Sequence, residues 1–450
     1  MSTDVAPRPD ERTVRKAVLA SALGNAVEWF DFGVFSAGVV TAIVGTVFFP
    51  PDDGGGATLR SFAMIAAAFL ARPFGSLFFG PLGDRIGRKR VLAITIILMS
   101  GSTFVIGILP GYATIGWFAP VALLLVRLVQ GFSTGGEYGG AATMIAEYAP
   151  TTRRGFFGSF LEFGTLAGYV CGAGLVLLTQ LVLGDAAMRD WGWRLPFLLA
   201  LPLGAVGLYV RSRIEDTPEF RRMEATGTKA RSPLKEVLLR HRATVLRLIG
   251  IVVLLNVADY TLLTFMPSYL IDFLGTAEIT AQLITIGVEL VMLTVILPLG
   301  ALSDRIGRKP LLRTAAVGFL LLSWPAFRLM QTDHWLGVAA GYTIIGGLLV
   351  LMLAVVGATF PAMFPTEVRY GAFAIGYNVS TSLFGGTAAV LVGSLIELTG
   401  SNDVPAFYLM LAAAVALVPL GRIPETARVP IHLAGRPDAP EPIGLGLRRR

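Results

Sequence analysis

The sequence predicts an all-α polytopic membrane protein, with twelve transmembrane helices arranged as two six-helix halves. Three observations predict it. Of 450 residues, 54% are apolar and 15% charged, where a soluble protein of this size carries about a quarter charged residues. The apolar residues gather in twelve runs, and a helix crossing the hydrocarbon core needs about 20 residues. Finally, Asp84-Arg85-Ile86-Gly87-Arg88-Lys89 returns unchanged as Asp304-Arg305-Ile306-Gly307-Arg308-Lys309, 220 positions later. The first copy follows the second run and the second copy follows the eighth, the mark of an internal repeat of six helices whose halves are related by an axis along the membrane normal.

In order, the runs are 17–45, 60–82, 91–110, 118–148, 156–183, 193–212, 243–274, 281–302, 311–330, 336–363, 371–399 and 404–423. They divide the chain into an N-terminal tail (1–16), a first half (17–213), a linker (214–242), a second half (243–423) and a C-terminal tail (424–450). The first run ends at Phe48-Phe49-Pro50-Pro51, and Asp52-Asp53-Gly54-Gly55-Gly56 forms a short loop. The second carries Arg72-Pro73 near its middle. Pro150-Thr151-Thr152-Arg153-Arg154-Gly155 follows the fourth run, and Pro365-Thr366-Glu367-Val368-Arg369-Tyr370-Gly371 echoes it after the tenth. The linker is mixed in charge, contains Pro218 and Pro233, and reads as cytoplasmic with some helix. The C-terminal tail is rich in Pro and Gly, shows no heptads, ends in Arg448-Arg449-Arg450 and is expected to be disordered.

A formal charge of +7 invites a nucleic-acid reading, which the placement of the basic residues argues against. With the N-terminus in the cytoplasm, 31 of the 37 Lys and Arg fall on the two tails and the loops that leave even-numbered helices. Arg60, Arg189, Arg194 and Arg328 fall on the other face, and Arg72 and Arg127 lie inside spans. That bias places both termini in the cytoplasm. Met1 to Lys16 is charged and no cleavage site follows a short apolar core, so no cleaved signal peptide is expected. With Cys171 the single cysteine and His241, His334 and His432 scattered, neither a disulfide framework nor a metal site is expected. No Walker loop, nucleotide fingerprint or Ser/His/Asp set is visible, so an enzyme and an ATP-driven pump are disfavoured. The expected energy source is an ion gradient, with no cofactor. Protons suit the buried acids, and sodium stays open.

Gly24-Asn25-Ala26-Val27-Glu28-Trp29-Phe30-Asp31-Phe32 places two acids inside the first span. A charge at bilayer depth costs about 2.5–3.5 kcal/mol on insertion scales, so Glu28 and Asp31 face a protein interior or a water-filled cavity, are protonated, or have partners. Asn25, Glu28, Phe32 and Phe35 form one stripe by steps of three and four. In the fourth span Arg127, Gln130, Thr134, Glu137 and Tyr138 share a face. Arg127 opposes Glu28 and Asp31 in sign, and can both keep a carboxylate ionised and, on release, let it take a proton. The other reading of Arg127 is a structural ion pair holding spans one and four together. The glycines from Gly131 to Gly140 offer small faces for a neighbouring helix. Further intramembrane polar positions are Arg72, Glu162, Asn256, Asp259, Tyr260, Glu289, Tyr377 and Asn378. Trp29, Phe30, Phe32, Phe35 and Tyr138, set beside acids, can form a cation–π box for an ammonium group.

These residues carry a resemblance. The loop Gly83-Asp84-Arg85-Ile86-Gly87-Arg88-Lys89 and its copy at 303–309 resemble the gating signature of the major facilitator superfamily. The 24–32 stretch, Gln130-Gly131-Phe132-Ser133 with Gly135-Gly136-Glu137-Tyr138, and Asp190-Trp191-Gly192-Trp193-Arg194 with Pro196-Phe197 are similar to its metabolite:proton symporter branch. Leu161-Glu162-Phe163-Gly164, Asn256-Val257 with Tyr260, the stretch Leu262 to Leu270, and Phe360-Pro361-Ala362-Met363-Phe364-Pro365-Thr366 resemble bacterial proline/glycine betaine transporters. The resemblance covers about residues 15–428. It implies alternating access and symport of a zwitterionic osmolyte with a proton across a bacterial cytoplasmic (inner) membrane. It also implies ion-pair locks at the cytoplasmic face, formed by Asp84, Arg85 and Arg88 in one half and Asp304, Arg305 and Arg308 in the other. Two departures stand out. The tail lacks the long coiled coil of osmosensing members, and Arg127 stands where some betaine carriers have Lys and dicarboxylate carriers have Arg.

The expected protein is therefore a proton-coupled importer of proline- or betaine-type zwitterions, with the substrate, the proton and membrane lipid as its partners and no nucleic acid or obligate protein partner. Glu28, Asp31, Arg127 and Glu137 are expected to couple the proton. Asn25, Trp29, Phe30, Tyr138, Asn256, Tyr260, Tyr377 and Asn378 are expected to bind substrate, with the aromatics at the cation and Arg127 at the carboxylate. The rival is the same machine carrying a carboxylate metabolite such as 2-oxoglutarate, citrate or shikimate. A more remote rival is a non-transporting membrane sensor.

Overall fold

The structure is a computed structural model that describes residues 11–50, 56–86, 88–212, 240–332, 334–366 and 368–436, with helices and connecting loops and no strands among them. The first half consists of α1 (Glu11–Ser36), α2 (Gly38–Val47), α3 (Ala57–Ile86), α4 (Arg88–Ile108), α5 (Phe118–Tyr148), the short α6 (Arg154–Gly158), α7 (Phe160–Ala187) and α8 (Ala200–Ser212). The second consists of α9 (Arg242–Asp259), α10 (Glu278–Ile306), α11 (Arg308–Met330), α12 (Trp335–Thr359), α13 (Arg369–Ser380), α14 (Ala388–Thr399) and α15 (Val404–Arg422). Ten described segments are long and apolar enough to cross a membrane, and the bent pair α1–α2 makes an eleventh. The sixth expected span is the shorter apolar segment Arg194–Val210.

Three features differ from the sequence reading. The run 17–45 is two helices that meet at Ala37 with a bend of 72°. The Thr41 hydroxyl donates to the Phe35 carbonyl (2.7 Å), which the break leaves without a helical partner. Spans seven and eleven leave α geometry part-way, at the π-helical turns Tyr260–Phe265 and Thr381–Gly385. Such turns add a residue to one helical turn and are frequent at functional sites. Third, the tail expected to be disordered is packed over residues 424–436. Val429, Ile431 and Ala434 form a buried apolar cluster with Ala146 and Ala362, and buried arginines hold the tail's carbonyls. The linker from 213 to 239 lies outside the described residues.

Backbone-close packing of small residues builds each half. α1 packs along α7, and α3 along α5. A Cβ on Gly131 of α5 would stand 1.7 Å from the Ala68 carbonyl oxygen of α3, and one on Gly168 of α7 would stand 2.6 Å from that of Ala26. With lipid on the outside, tight van der Waals contact and polar pairs replace the hydrophobic effect as the glue between helices. The halves meet where α13 packs on α3 and α5, and where α10 packs on α6 and α7.

Replacing Gly131 by Val forces α3 and α5 apart. Overpacking costs about 1–3 kcal/mol or more, so the detergent-solubilised variant should melt several degrees below the parent. An unchanged melting midpoint would show that this contact yields freely.

Candidate functional site

Glu28 and Asp31 lie three residues apart on α1 and meet different partners. Asp31 accepts from Arg127 Nη1 of α5 at 2.8 Å. The same nitrogen donates to Gln130 Oε1 (2.9 Å), and Gln130 donates on to Thr103 of α4 (2.9 Å). The Arg127 guanidinium also lies 3.7 Å from the centre of the Phe35 ring. Glu28 faces α3 instead, where Arg72 Nη2 stands 3.8 Å from its Oε1. All four charged side chains are 1% exposed. Two acids at that depth are therefore matched by two guanidinium groups, as the energetics of ionisable groups in a bilayer require.

Arg72 is held mainly by rings. Its guanidinium carbon lies 4.1 Å from the centre of Phe69, and 5.7 Å from the centres of Trp29 and Phe32. Among the described residues its one hydrogen bond runs from Nη1 to the Tyr260 hydroxyl of the second half (3.4 Å). Trp29 also meets Tyr169 (5.6 Å) and Tyr260 (6.1 Å), and Tyr260 meets Phe69 edge-on (4.8 Å). Of the aromatic residues expected to box a substrate ammonium, Trp29 and Phe32 stand at Arg72, joined there by Phe69 and Tyr260, whereas Phe35 covers Arg127 and Phe30 and Tyr138 stand elsewhere.

A second polar cluster lies between α5, α7 and α13. The Tyr138 hydroxyl donates to the Glu162 carboxylate, and its ring stacks on Tyr377 at 4.2 Å and 14°. Asn378 Nδ2 donates to the Gly135 carbonyl across the halves (3.2 Å). Asn256 donates to the Ser380 hydroxyl (3.3 Å) and accepts from that of Thr381 (3.0 Å).

The structure separates the expected set accordingly. Trp29 and Tyr260 stand at Arg72, Tyr138 and Tyr377 stand together at Glu162, and Asn378 joins α13 to α5 at Gly135. Asn256 ties α9 to the π-helical turn after α13. Asn25 donates to the Leu161 carbonyl (2.8 Å) and to Thr165 (2.7 Å), which pins α1 to α7. The backbone around Phe30 packs on Gly168 and Gly172 of α7, and its ring joins no ring contact among the described residues. Glu137 is buried on the same helix as Arg127, but ten residues along an α-helix is a rise of about 15 Å. A helical-face count puts the two together, and the axial distance takes them apart. Residues without an expected role that the site includes are Arg72, Phe69, Glu162, Tyr169 and Asp259. Arg72, Glu162 and Asp259 were readable as intramembrane charges, whereas Phe69 and Tyr169 carried no signal beyond being aromatic.

The two ends of the bundle are joined across the halves. At the end that carries both tails, Asp304 of α10 accepts from the backbone N–H groups of Gly155 (2.7 Å) and Phe156 (2.9 Å), a carboxylate on a helix N-terminus. A Cβ on Gly155 would collide with Asp304 and Ser303 there. Arg308 is buried and donates to the Ala358 and Thr426 carbonyls at 2.9 and 3.0 Å. Arg305, expected in the same lock, is exposed and forms no ion pair among the described residues. The side chains of Asp84, Arg85 and Arg88 lie outside the described residues. Two arginines in equivalent loops hold the tail: Arg154 donates to the Val429 carbonyl (2.9 Å) and Arg369 to that of Ile431 (2.6 Å). At the opposite end Arg189 pairs with Glu278 (2.5 Å), Gln282 donates to Gln180 (2.9 Å) and Thr58 donates to Asp272 (3.0 Å).

Comparison with known proteins agrees with this architecture. A family profile described as "Sugar (and other) transporter" matches residues 16–241, and one described as "Major Facilitator Superfamily" matches residues 248–449. The chain is 43% identical over 431 residues to the proline/betaine transporter of Escherichia coli (strain K12), covering 94% of this chain and 86% of that protein. It is 44% identical over 431 residues to the glycine betaine/proline/ectoine/pipecolic acid transporter OusA of Dickeya dadantii (94% and 85%). It is 39% identical over 435 residues to the ectoine/proline transporter ProP of Corynebacterium glutamicum (93% and 86%). Among solved structures, the proton:xylose symporter XylE bound to 6-bromo-6-deoxy-D-glucose superposes with a TM-score of 0.75 at 18% identity, covering 93% of this chain and 98% of that one, a likeness of fold.

Removing one partner of a buried ion pair costs about 3–5 kcal/mol, while replacing both is close to neutral. Arg127→Leu should therefore melt well below the parent, and Asp31→Asn with Arg127→Leu should recover part of the loss. A double variant as unstable as the two single losses added would show that Asp31 and Arg127 do not act as a pair.

Proposed function

The chain belongs to the major facilitator superfamily and, within it, to the family of the proline/betaine transporters, and on that premise we propose that it imports proline- or betaine-type zwitterions together with protons by alternating access. It is a multi-pass membrane transporter, not an enzyme. The observation that carries the proposal is the chain of contacts Glu28–Arg72–Tyr260, an acid and a guanidinium of one half reaching a tyrosine of the other among aromatic faces. A carboxylate matched by a guanidinium is ionised, and one whose guanidinium is drawn away can take a proton. Glu28 and Asp31 with Arg72 and Arg127 sum to zero charge, which suits a substrate without net charge. Glu162, Asp259 and Glu289 are further buried acids. Their excess over cations disfavours a dianion, so the carboxylate-metabolite reading ranks second.

In this proposal Glu28 and Asp31, with Arg72 and Arg127, carry the coupling, and Glu137 stands apart from it. Trp29, Tyr260, Tyr138, Tyr377, Asn256 and Asn378 line the route between the halves, while Asn25 and Phe30 position α1. Both tails lie in the cytoplasm, as the basic residues indicate. Opening towards the cytoplasm then requires Asp304 to leave the α6 N-terminus and the segment around Ile431 to lift off Arg369.

Two outcomes test this. Purified protein in liposomes with an imposed inward proton gradient should accumulate labelled proline and glycine betaine, and a protonophore should collapse both. Accumulation of 2-oxoglutarate alone would overturn the substrate assignment. Glu28→Gln should retain substrate exchange at equal concentrations and lose uphill uptake by about tenfold or more. Uphill uptake at the parent's level would remove Glu28 from the coupling. At the gate, Ile431→Asp places a charge inside the cluster of Ala146, Ala362, Val429 and Ala434. In a Cys171→Ser background it should increase labelling, from the cytoplasmic side, of the cysteine introduced by Ala301→Cys, which lines the same interface as Asp304 without holding it, and unchanged labelling would mean the tail does not hold the gate.

A further inference from the structure

Between the two ends of the bundle, the buried cations among the described residues are Arg72 and Arg127. They differ in two ways. Arg127 is held wholly within the first half, and its charge is met by Asp31 at hydrogen-bond distance (2.8 Å). Arg72 reaches both halves, and its charge is met loosely, by Glu28 at 3.8 Å and by a 3.4 Å hydrogen bond to Tyr260. The Nε and Nη2 atoms of Arg72 are buried and have no hydrogen-bond partner among the described residues. Those two nitrogens form the edge by which a guanidinium takes a carboxylate through two parallel hydrogen bonds. Arg127 has the same edge open, but Asp31 already neutralises it. A buried donor without an acceptor is unfavourable, so Arg72 is a cation poised for a better anion than the one beside it.

We infer that Arg72, not Arg127, binds the substrate carboxylate, and that Glu28 is the resident anion with which the substrate competes. The inference rests on the zwitterion reading above and adds the residue that sets its specificity. A carboxylate bound to the Nε–Nη2 edge stands beside Glu28. Two carboxylates sharing one site do not both stay ionised, and one takes a proton. Substrate arrival and protonation of Glu28 are thereby one linked event, and the linkage is reciprocal, each favouring the other equally. The groups that face Arg72 are Glu28, Trp29 and Phe32 from α1, Phe69 from its own helix, and Tyr260 from the second half. Asp259 lies within the electrostatic field of Arg72 from that same side, and Glu28 is the acid in direct pairing distance. With Arg72 drawn to the carboxylate, the faces of Trp29, Tyr169 and Tyr260 are free for the ammonium end.

Glycine betaine and choline test it, since both carry the trimethylammonium group and choline lacks the carboxylate. Titration calorimetry on the purified full-length protein should show glycine betaine preferred by about 100-fold or more, as for a site built to hold a polar group that the analogue lacks. Arg72→Gln should reduce that preference to within about threefold by losing betaine rather than gaining choline. Arg72→Lys, which keeps the charge without the fork, should fall between. Above the midpoint of Glu28, betaine affinity should weaken about tenfold per pH unit, and in Glu28→Gln that slope should vanish. A cooperatively melting Arg72→Gln that keeps the parent's preference overturns the inference while leaving the transport reading intact. Should neither Arg72 variant melt cooperatively, the Glu28→Gln titration decides, and a surviving pH slope overturns it. A parent protein that takes up neither proline nor betaine overturns the transport reading itself.

Discussion

A charge at the depth of a bilayer does not stand alone, and the first half of this protein is built around two that come in opposed pairs. Glu28 and Asp31 anchor α1, Arg72 crosses from α3 and Arg127 from α5. Everything near them follows from the need to keep those four groups dry and matched. The glycine-lined contacts hold α3 against α5 and α1 against α7, and the two ion pairs then tie α1 to α3 and to α5. The rings of Phe35, Phe69, Trp29 and Phe32 cover the guanidinium faces that hydrogen bonds leave open. The two pairs are unequal, however. The tight one, Asp31–Arg127, lies wholly within the first half, while the loose one, Glu28–Arg72, lies against the other half, where a change in partner can be felt across the molecule.

Much of this was legible in the sequence. The twelve runs, the duplicated Asp-Arg-Ile-Gly-Arg-Lys loop and the intramembrane charges specified the fold and the segments that carry the site, because each is a local consequence of bilayer energetics. The resemblance pointed to Asp304 as part of an ion-pair lock, and the backbone N–H groups of Gly155 and Phe156 that meet it became visible only with the helices in place. Nor was pairing legible. Spacing on α1 says that Glu28 and Asp31 share a side, and it does not say that one faces Arg72 and the other Arg127, since that depends on how helices distant in sequence are set against one another. Helical-face reasoning likewise grouped Glu137 with Arg127, and the rise along α5 separates them.

The tail shows a different limit. Its composition is that of a disordered segment, but Val429 and Ile431 need few neighbours to be buried once Arg154 and Arg369 hold the backbone carbonyls beside them. These two arginines come from the echoed loops of the two halves, so one short segment is fastened to both. With Asp304 also bridging the halves at this end, and Arg189–Glu278 and Gln180–Gln282 bridging them at the other, the charged centre is enclosed between two sets of contacts. Alternating access asks that one set be broken at a time.

The central claim is that a proton and a zwitterion enter this centre together because they share Arg72. Proton uptake on binding measures it most directly. Purified protein in weakly buffered detergent solution, with a pH indicator, should take up about one proton per molecule of glycine betaine bound at a pH above the Glu28 midpoint, and none in Glu28→Gln. Betaine binding by the parent without proton uptake at any pH would contradict the account.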